Sequence, residues 1–217
     1  MNPILHLIED VFSDGADMAL PPSPRMIFVT HGAVSIAGQS IGSGEAWHGE
    51  DAATVVAGTA GAMCWRYELS QSLIDHVSAA HGVASRVKLA APLEFLPEGE
   101  LLFRGDSVAF PPGGTAMLHR HQGPGIRCLI EGGIRIDTHG RSTSYGPGGA
   151  WFESGPEPVF AQAAADRPSR FIRAMILPQS LLGKSSIQYV NEEDKAKPKS
   201  QSYKVFADMP ITGLVRG

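Results

Sequence analysis

The feature that most constrains this chain is an internal repeat. Phe28–Ile36 (Phe-Val-Thr-His-Gly-Ala-Val-Ser-Ile) lines up with Cys128–Ile136 (Cys-Leu-Ile-Glu-Gly-Gly-Ile-Arg-Ile). Further on, Gly42–Trp47 (Gly-Ser-Gly-Glu-Ala-Trp) lines up with Gly146–Trp151 (Gly-Pro-Gly-Gly-Ala-Trp). The offset grows from 100 to 104 between the two matches, which an insertion around Thr138–Ser144 explains. An apolar segment follows each Trp, at Thr54–Ala57 and Val159–Ala163. Each half then reaches an arginine among apolar neighbours, in Cys64-Trp65-Arg66-Tyr67 and Phe171-Ile172-Arg173-Ala174. Two matches in the same order, with similar flanks, argue for a duplicated unit, and a duplication governs every later step of fold assignment.

Each unit reads as strands. In Ala33–Ile36 and Gly133–Ile136 apolar and polar residues alternate, the pattern of a half-buried strand. With 25 Gly and 16 Pro scattered through 217 residues, the chain is suited to many short elements and tight turns, as in an all-β protein. Gly132-Gly133 suits a hairpin turn that needs positive φ. Two stretches read as helices. Ile4, Leu7, Ile8 and Val11 have amphipathic helical spacing, which predicts an N-terminal helical segment over 1–14. Ser70 is placed to cap a linking helix, assigned to 71–87, running through Leu73, Ile74, Val77 and Ala80 to Gly82. The repeat units then fall at 15–70 and 88–180. The remainder, 181–217, is rich in Lys, Ser and Pro with Tyr189, Tyr203, Val205 and Phe206 interspersed; it reads as an extended arm or as a solvated tail.

Composition excludes several function classes. Hydrophobic residues make up 43% and charged residues 18%, an ordinary globular mixture. The net charge is -4, with no basic stripe, which argues against a nucleic-acid partner. The apolar runs are too short for a membrane span, and Met1-Asn2-Pro3 does not begin a signal peptide, so no membrane and a cytoplasmic setting are expected. Cys64 and Cys128 stand alone in apolar runs and read as small buried hydrophobes. The cluster Glu192-Glu193-Asp194-Lys195-Ala196-Lys197-Pro198-Lys199 reads as a solvated segment.

The chemistry-bearing stretch runs from Phe110 to Gly132 and contains His119-Arg120-His121. Two histidines two apart on a strand share a face, with Met117 on the same side and Leu118 and Arg120 on the other. Neutral imidazole ligates Zn, Fe, Ni, Cu and Mn, but two imidazoles need at least one further ligand. Gln122 and Glu153 are the candidates. Without a metal, the pair either lines a polar pocket or consists of surface histidines on a misread strand. Arg127 points inward on a regular strand, toward an acidic partner or an anionic ligand. Trp47 and Trp151 occupy equivalent repeat positions and read as packing residues, while His31, in the expected hairpin turn, His48, His76, His81 and His139 have no partner at ligand spacing.

These residues resemble the cupin superfamily. Its first motif runs Gly, five residues, His, one residue, His, a Glu, six residues, Gly; here Gly113, His119, His121 and Gly132 match, and Gly125 stands where the ligating Glu belongs. Its second motif, Pro, one residue, Gly, two residues, His, is met by Pro147 and Gly149, with Phe152 at the His position and Glu153 the nearest ligating side chain. The first half has no histidine pair, and Arg25 stands at the position equivalent to Gly125, so that half reads as structural. The resemblance implies two tandem double-stranded β-barrels of the jelly-roll type and a homodimer formed through edge strands. It leaves three functions open: a small-molecule binding protein, with or without a divalent metal (Zn, Fe, Ni or Mn), using His119, His121, Arg127 and Met117; a metal-dependent oxygenase, isomerase or decarboxylase; or an interaction module with vestigial pockets. A sugar-epimerase-like use of His119 as general base is a metal-free enzyme variant.

Overall fold

A computed structural model describes residues 2–74 and 80–212. Contacts divide the chain into two compact units. One runs to Glu94 and takes in Ile211 and Thr212; the other spans Phe95–Pro210. Both are antiparallel β, and the described residues contain only two short 3-10 turns, Gln179–Leu181 and Glu192–Lys195.

The first unit is one sheet of seven strands: β1 (Ile4–Phe12), β2 (Asp17–Leu20), β3 (Arg25–Ile36), β4 (Gln39–Gly42), β5 (Ala46–Gly49), β6 (Ala53–Ser70) and β7 (Val83–Pro92). The main order is β4-β3-β6-β1-β7, with β2 on β6 and β5 on β3. The 12-residue β3 and 18-residue β6 carry the fold, and their pairing register slips on either side of Gly32. Such bulges bend strands sharply. The inward face carries Ile27, Val29, Val34, Ile36, Val55, Ala62 and Cys64.

The second unit contains β8 (Leu101–Phe110), β9 (Thr115–His121), β10 (Gly125–Glu131), β11 (Ile134–Thr138), β12 (Arg141–Tyr145), β13 (Ala150–Glu153), β14 (Val159–Ala163), β15 (Ser169–Pro178), β16 (Ile187–Tyr189) and β17 (Ser202–Pro210). They form two five-stranded sheets, β13-β10-β15-β8-β17 and β12-β11-β14-β9-β16. Val108, Phe110, Leu129, Ile134, Ile136, Trp151, Val159 and Phe171 pack in its core.

The repeat is present in the strand register itself. Ile27 pairs with Trp47 as Arg127 pairs with Trp151, and Phe28 with Ala46 as Cys128 with Ala150. Both units have a two-residue hairpin, through Ala37-Gly38 and through His139-Gly140, with φ of 50°, 77°, 51° and 68°. Positive φ at both positions suits the turn that matches strand twist. The second hairpin is longer on each strand, closing at Thr138–Arg141 where the first closes at Ile36–Gln39, which accounts for the change of offset. The insertion is a pure lengthening of one hairpin.

Gly132 does not make a hairpin turn as its sequence suggests, and its equivalent Gly32, with His31 beside it, lies inside β3. Each marks the point where the chain passes from one set of partners to the next. The φ values of Gly32 and Gly132 are 74° and 83°, and an added Cβ would come within 2.2 Å of a carbonyl oxygen, of Gly61 and Pro168 respectively. Close backbone approach, more than turning, requires glycine there.

The two expected helices are corrected. Residues 4–12 form β1, inserted between β6 and β7. Leu5, His6, Leu7 and Ile8 are all 0% exposed, so this part of the strand is buried on both faces and does not alternate, and its apolar run fits helical spacing by coincidence; Val11, on the supposed apolar face, is 41% exposed. Ser70 ends β6, Leu73 is 58% exposed outside any helix, and 83–87 belong to β7. His76 and Val77 lie outside the described residues. Because β7 pairs with β1, the division between units falls after Glu94. The C-terminal stretch supplies one edge strand to each sheet of the second unit, β16 on β9 and β17 on β8.

Candidate functional site

The site begins with an irregularity in β9. Its pairing to β14 runs Val159–His119 and Ala161–Ala116, so β9 carries one extra residue between them. The bulge corrects the face assigned to Met117: Ala116 shares the inward face with His119 and His121, while Met117 turns its carbonyl oxygen to His119 Nδ1 at 2.7 Å. That contact requires Nδ1 to carry the proton and leaves Nε2 with its lone pair. His121 Nδ1 lies 3.3 Å from Ser186 Oγ. The two Nε2 atoms are 3.2 Å apart, with the rings edge to face.

Glu153, at the end of β13, completes the floor. Its Oε1 accepts from Trp151 Nε1 at 2.8 Å; its Oε2 lies 3.5 Å from His121 Nε2 and 2.8 Å from Arg127 Nη2. The arginine contact is an ion pair out of line for a hydrogen bond, and Oε2 is buried without a donor. Arg127 is 1% exposed and donates from Nη1 to Gly125 O at 2.7 Å. Its inward position agrees with the strand alternation, and its acidic partner is Glu153. Gln122 lies beyond the end of β9, hydrogen-bonded through its backbone N to Ser186 O, and does not line the cavity.

Burial depresses both imidazole pKa values. For His119, burial is only partly offset by Glu153; for His121, burial and then the Arg127 guanidinium push the value well below the ordinary range. Both rings are therefore neutral at neutral pH, the form that can ligate or accept a proton.

Above this floor the unit opens. A cavity of about 20 Å³ lies among His119, His121, Arg127, Glu153 and Gln201, room for roughly one water. A cleft of about 900 Å³ adjoins it, and Arg173, Ile187 and Tyr203 line both. Arg104, Lys184, Lys195 and Lys199 give the cleft wall a cationic character. The acids facing it are already paired: Arg104 holds Asp208 at 2.8 Å, and Arg173 holds Asp106 with Nε and Nη2 at 2.6 and 2.9 Å.

Sequence reading missed the wall of this cleft. Ser186, Ile187, Gln201 and Tyr203 come from the C-terminal stretch, whose interspersed Ile187, Tyr189, Tyr203 and Val205 were the available signal for two short strands.

Known structures share this strand arrangement. Oxalate decarboxylase from Bacillus subtilis at pH 4.6 matches over 91% of this chain and 73% of its own, with a TM-score of 0.63 and 13% identity. A point mutant of the same enzyme matches over 89% and 73%, with a TM-score of 0.63 and 14% identity. This chain has the cupin fold. A further structure of that decarboxylase, described by the Mn(II) centres of the enzyme, matches with a TM-score of 0.62 and 12% identity over 89% and 73%. No protein-family model and no curated protein sequence matches the chain.

The Mn(II) centres of that decarboxylase raise the question whether the present residues fit a divalent ion. Among the described residues no group of three or more His, Cys, Asp or Glu side chains is arranged to hold one. The donor chemistry is half right: two neutral imidazoles and one carboxylate converge. The carboxylate, however, is already neutralised by a guanidinium, and the position of the motif's Glu is Gly125. The set does not fit a resident dication without displacing Arg127.

Proposed function

We propose that the second cupin unit binds a small molecule, with the cleft as its seat and the His119–His121–Glu153 floor as its inner end. The carrying observation is that the two spaces adjoin, sharing Arg173, Ile187 and Tyr203 as lining. A cleft of this size lies within the range of small-molecule sites, and a few convergent polar groups at its end are what such sites use for orientation. The lining charge favours an organic anion, such as a small acid or a sugar acid, over a neutral or cationic ligand. Arg173 turns Nε and Nη2 to Asp106, leaving Nη1 for a ligand.

Thermal unfolding in the presence of small organic acids and sugars tests this. A ligand at about 100 times its dissociation constant adds about 2.7 kcal/mol to stability. Lys184→Ala/Lys199→Ala is expected to abolish the shift produced by acids while leaving unliganded melting unchanged. A complete absence of shifts across both compound classes would support the third function class, an interaction module with a vestigial pocket.

The 3.2 Å approach of the two Nε2 atoms favours one other reading. In it, His119, His121 and Glu153 hold Zn, Fe, Ni or Mn, and the protein is a metal-dependent oxygenase, isomerase or decarboxylase. This reading requires Arg127 to leave Glu153. The proposal also carries a cytoplasmic setting and a homodimer through an exposed edge strand, to be checked by fractionation and light scattering; β17, with Tyr203 46% and Val205 56% exposed, is the edge to test.

A further inference from the structure

The second unit contains a cation of its own at the point where two imidazoles and a carboxylate meet. Arg127 lies with Nη2 2.8 Å from Glu153 Oε2 and Nη1 2.7 Å from Gly125 O. The backbone around it is shaped to that guanidinium. A Cβ on Gly125 would meet Ala174 O at 2.4 Å, Met175 Cγ at 2.7 Å and Arg127 Nη1 at 3.0 Å. Position 125 therefore has no room for a carboxylate side chain, and Arg127 occupies space that such a side chain would need.

We propose that Arg127 has replaced a metal ion in this unit, so that the His119–His121–Glu153 floor works with a fixed guanidinium and no resident metal. The inference deepens the small-molecule reading and rests on it for the floor's use. With Arg127 in place, the open acceptors are Glu153 Oε2 and Gln201 Oε1, both buried without donors, whereas His119 Nε2 is engaged with His121 Nε2 at 3.2 Å. A cavity of about 20 Å³ that holds these two acceptors, its wall otherwise apolar apart from the imidazoles, Tyr203 and the Arg127 and Arg173 guanidinium groups, has room for one small group that donates to them. That donor is a water in the unliganded protein and a hydroxyl group of the bound molecule in the complex. The site is thereby selective for a hydroxylated anion: the cleft's ammonium groups meet the charge, and the floor meets the hydroxyl.

The test is equilibrium dialysis of the parent and of Arg127→Met against Mn(II), Zn(II), Ni(II) and, without oxygen, Fe(II), with metal counted by plasma mass spectrometry. The parent is expected to stay far below one metal per chain, and Arg127→Met to gain a metal that His119→Ala then abolishes. A parent that binds one metal per chain, lost in His119→Ala, would overturn the proposal. A parent and an Arg127→Met variant that both stay empty would overturn the role given to Arg127. If Arg127→Met does not fold, imidazole ¹⁵N spectra of the parent titrated with Zn(II) decide: unmoved Nε2 signals support the proposal, and shifted ones overturn it. Thermal shifts by acids in metal-free buffer are read separately. Ligand binding together with a bound metal sinks only this inference; no ligand with no metal sinks only the small-molecule reading.

Discussion

In the first unit Arg25 stands across the strands from Gly49, and in the second Gly125 stands across from Glu153. The same two repeat positions thus hold one glycine and one charged residue in each unit, with the roles exchanged. The next neighbours follow suit. Glu68 faces Arg25 across β3 and β6, whereas Met175 faces Gly125 across β10 and β15. Arg66 and Arg173 occupy equivalent places and each binds an aspartate on the unit's first strand, Asp10 or Asp106. In the first unit Glu68 bridges Arg25 at 3.0 Å and Arg66 at 2.8 Å, and Ser85 and Arg66 satisfy Asp10. That chain of charges is buried in the first unit. In the second, the place of Glu68 is taken by the uncharged Met175, and a small cavity lies among His119, His121, Arg127, Glu153 and Arg173. One fold yields a copy with a buried ion network and a copy with a cavity, and the two differ by a few exchanges at paired positions.

The largest expected effect breaks the buried ion network of the first unit. Glu68 is 4% exposed and serves two arginines that are 0% and 3% exposed. Glu68→Ala leaves two guanidinium groups facing each other without their shared counter-ion. Removing one member of a buried ion network costs about 3–5 kcal/mol. Urea unfolding of the variant measures it. A loss below about 1 kcal/mol would show that water or a rearranged Asp10 serves the arginines, and that the first unit does not depend on this network.

The fold was legible because the repeat and the motif glycines both act on the backbone. Gly32 and Gly132 match in sequence because a neighbouring carbonyl leaves no room for a side chain, a constraint that leaves a visible letter. β1 was not legible. His6 and Asp10 are polar residues in a strand buried on both sides, each satisfied by partners more than fifty residues away, Ile74 N for His6 and Arg66 for Asp10. Local periodicity carries no information about such partners. In the site, the His119–His121 pair and the inward Arg127 followed from strand alternation. Met117 did not, because the bulge that turns it aside arises from pairing with β14. Glu153 was reachable from the motif, while Tyr203 arrives on an edge strand, and Gln201 just ahead of it, in a stretch whose residues resemble a tail.

A smaller effect separates the two glycines. A methyl group on Gly125 meets the Ala174 carbonyl at 2.4 Å, held in the pairing of β10 with β15, so relief requires backbone movement. Gly125→Ala is expected to cost about 1–3 kcal/mol. A methyl group on Gly49 meets the Trp47 ring at 2.7 Å, and that half-buried ring can tilt. Gly49→Ala is expected to cost less than Gly125→Ala in thermal melts run side by side. Equal costs would mean that Trp47 is as fixed as backbone, and the first unit is then tighter around its glycine than the exchange of roles suggests.

The last expected effect is a difference in acid sensitivity. Burial lowers the pKa of His119 and His121 in the second unit, and of His6 and the less buried His48 in the first, from the ordinary value of 6.5. Each binds a proton more readily unfolded than folded, so each contributes stability above pH 6.5 that falls away as the pH drops toward its lowered folded value. The slope is about 1.4 kcal/mol per pH unit for each fully titrating residue, stability rising with pH. His119→Gln/His121→Gln should flatten the slope of unfolding free energy below pH 6.5 more than His6→Gln does, since two coupled imidazoles titrate in the second unit beside a guanidinium. A larger flattening from His6→Gln would locate the acid-sensitive element in the first unit. It would also mean that water reaches the second floor well enough to let its imidazoles charge in the folded state.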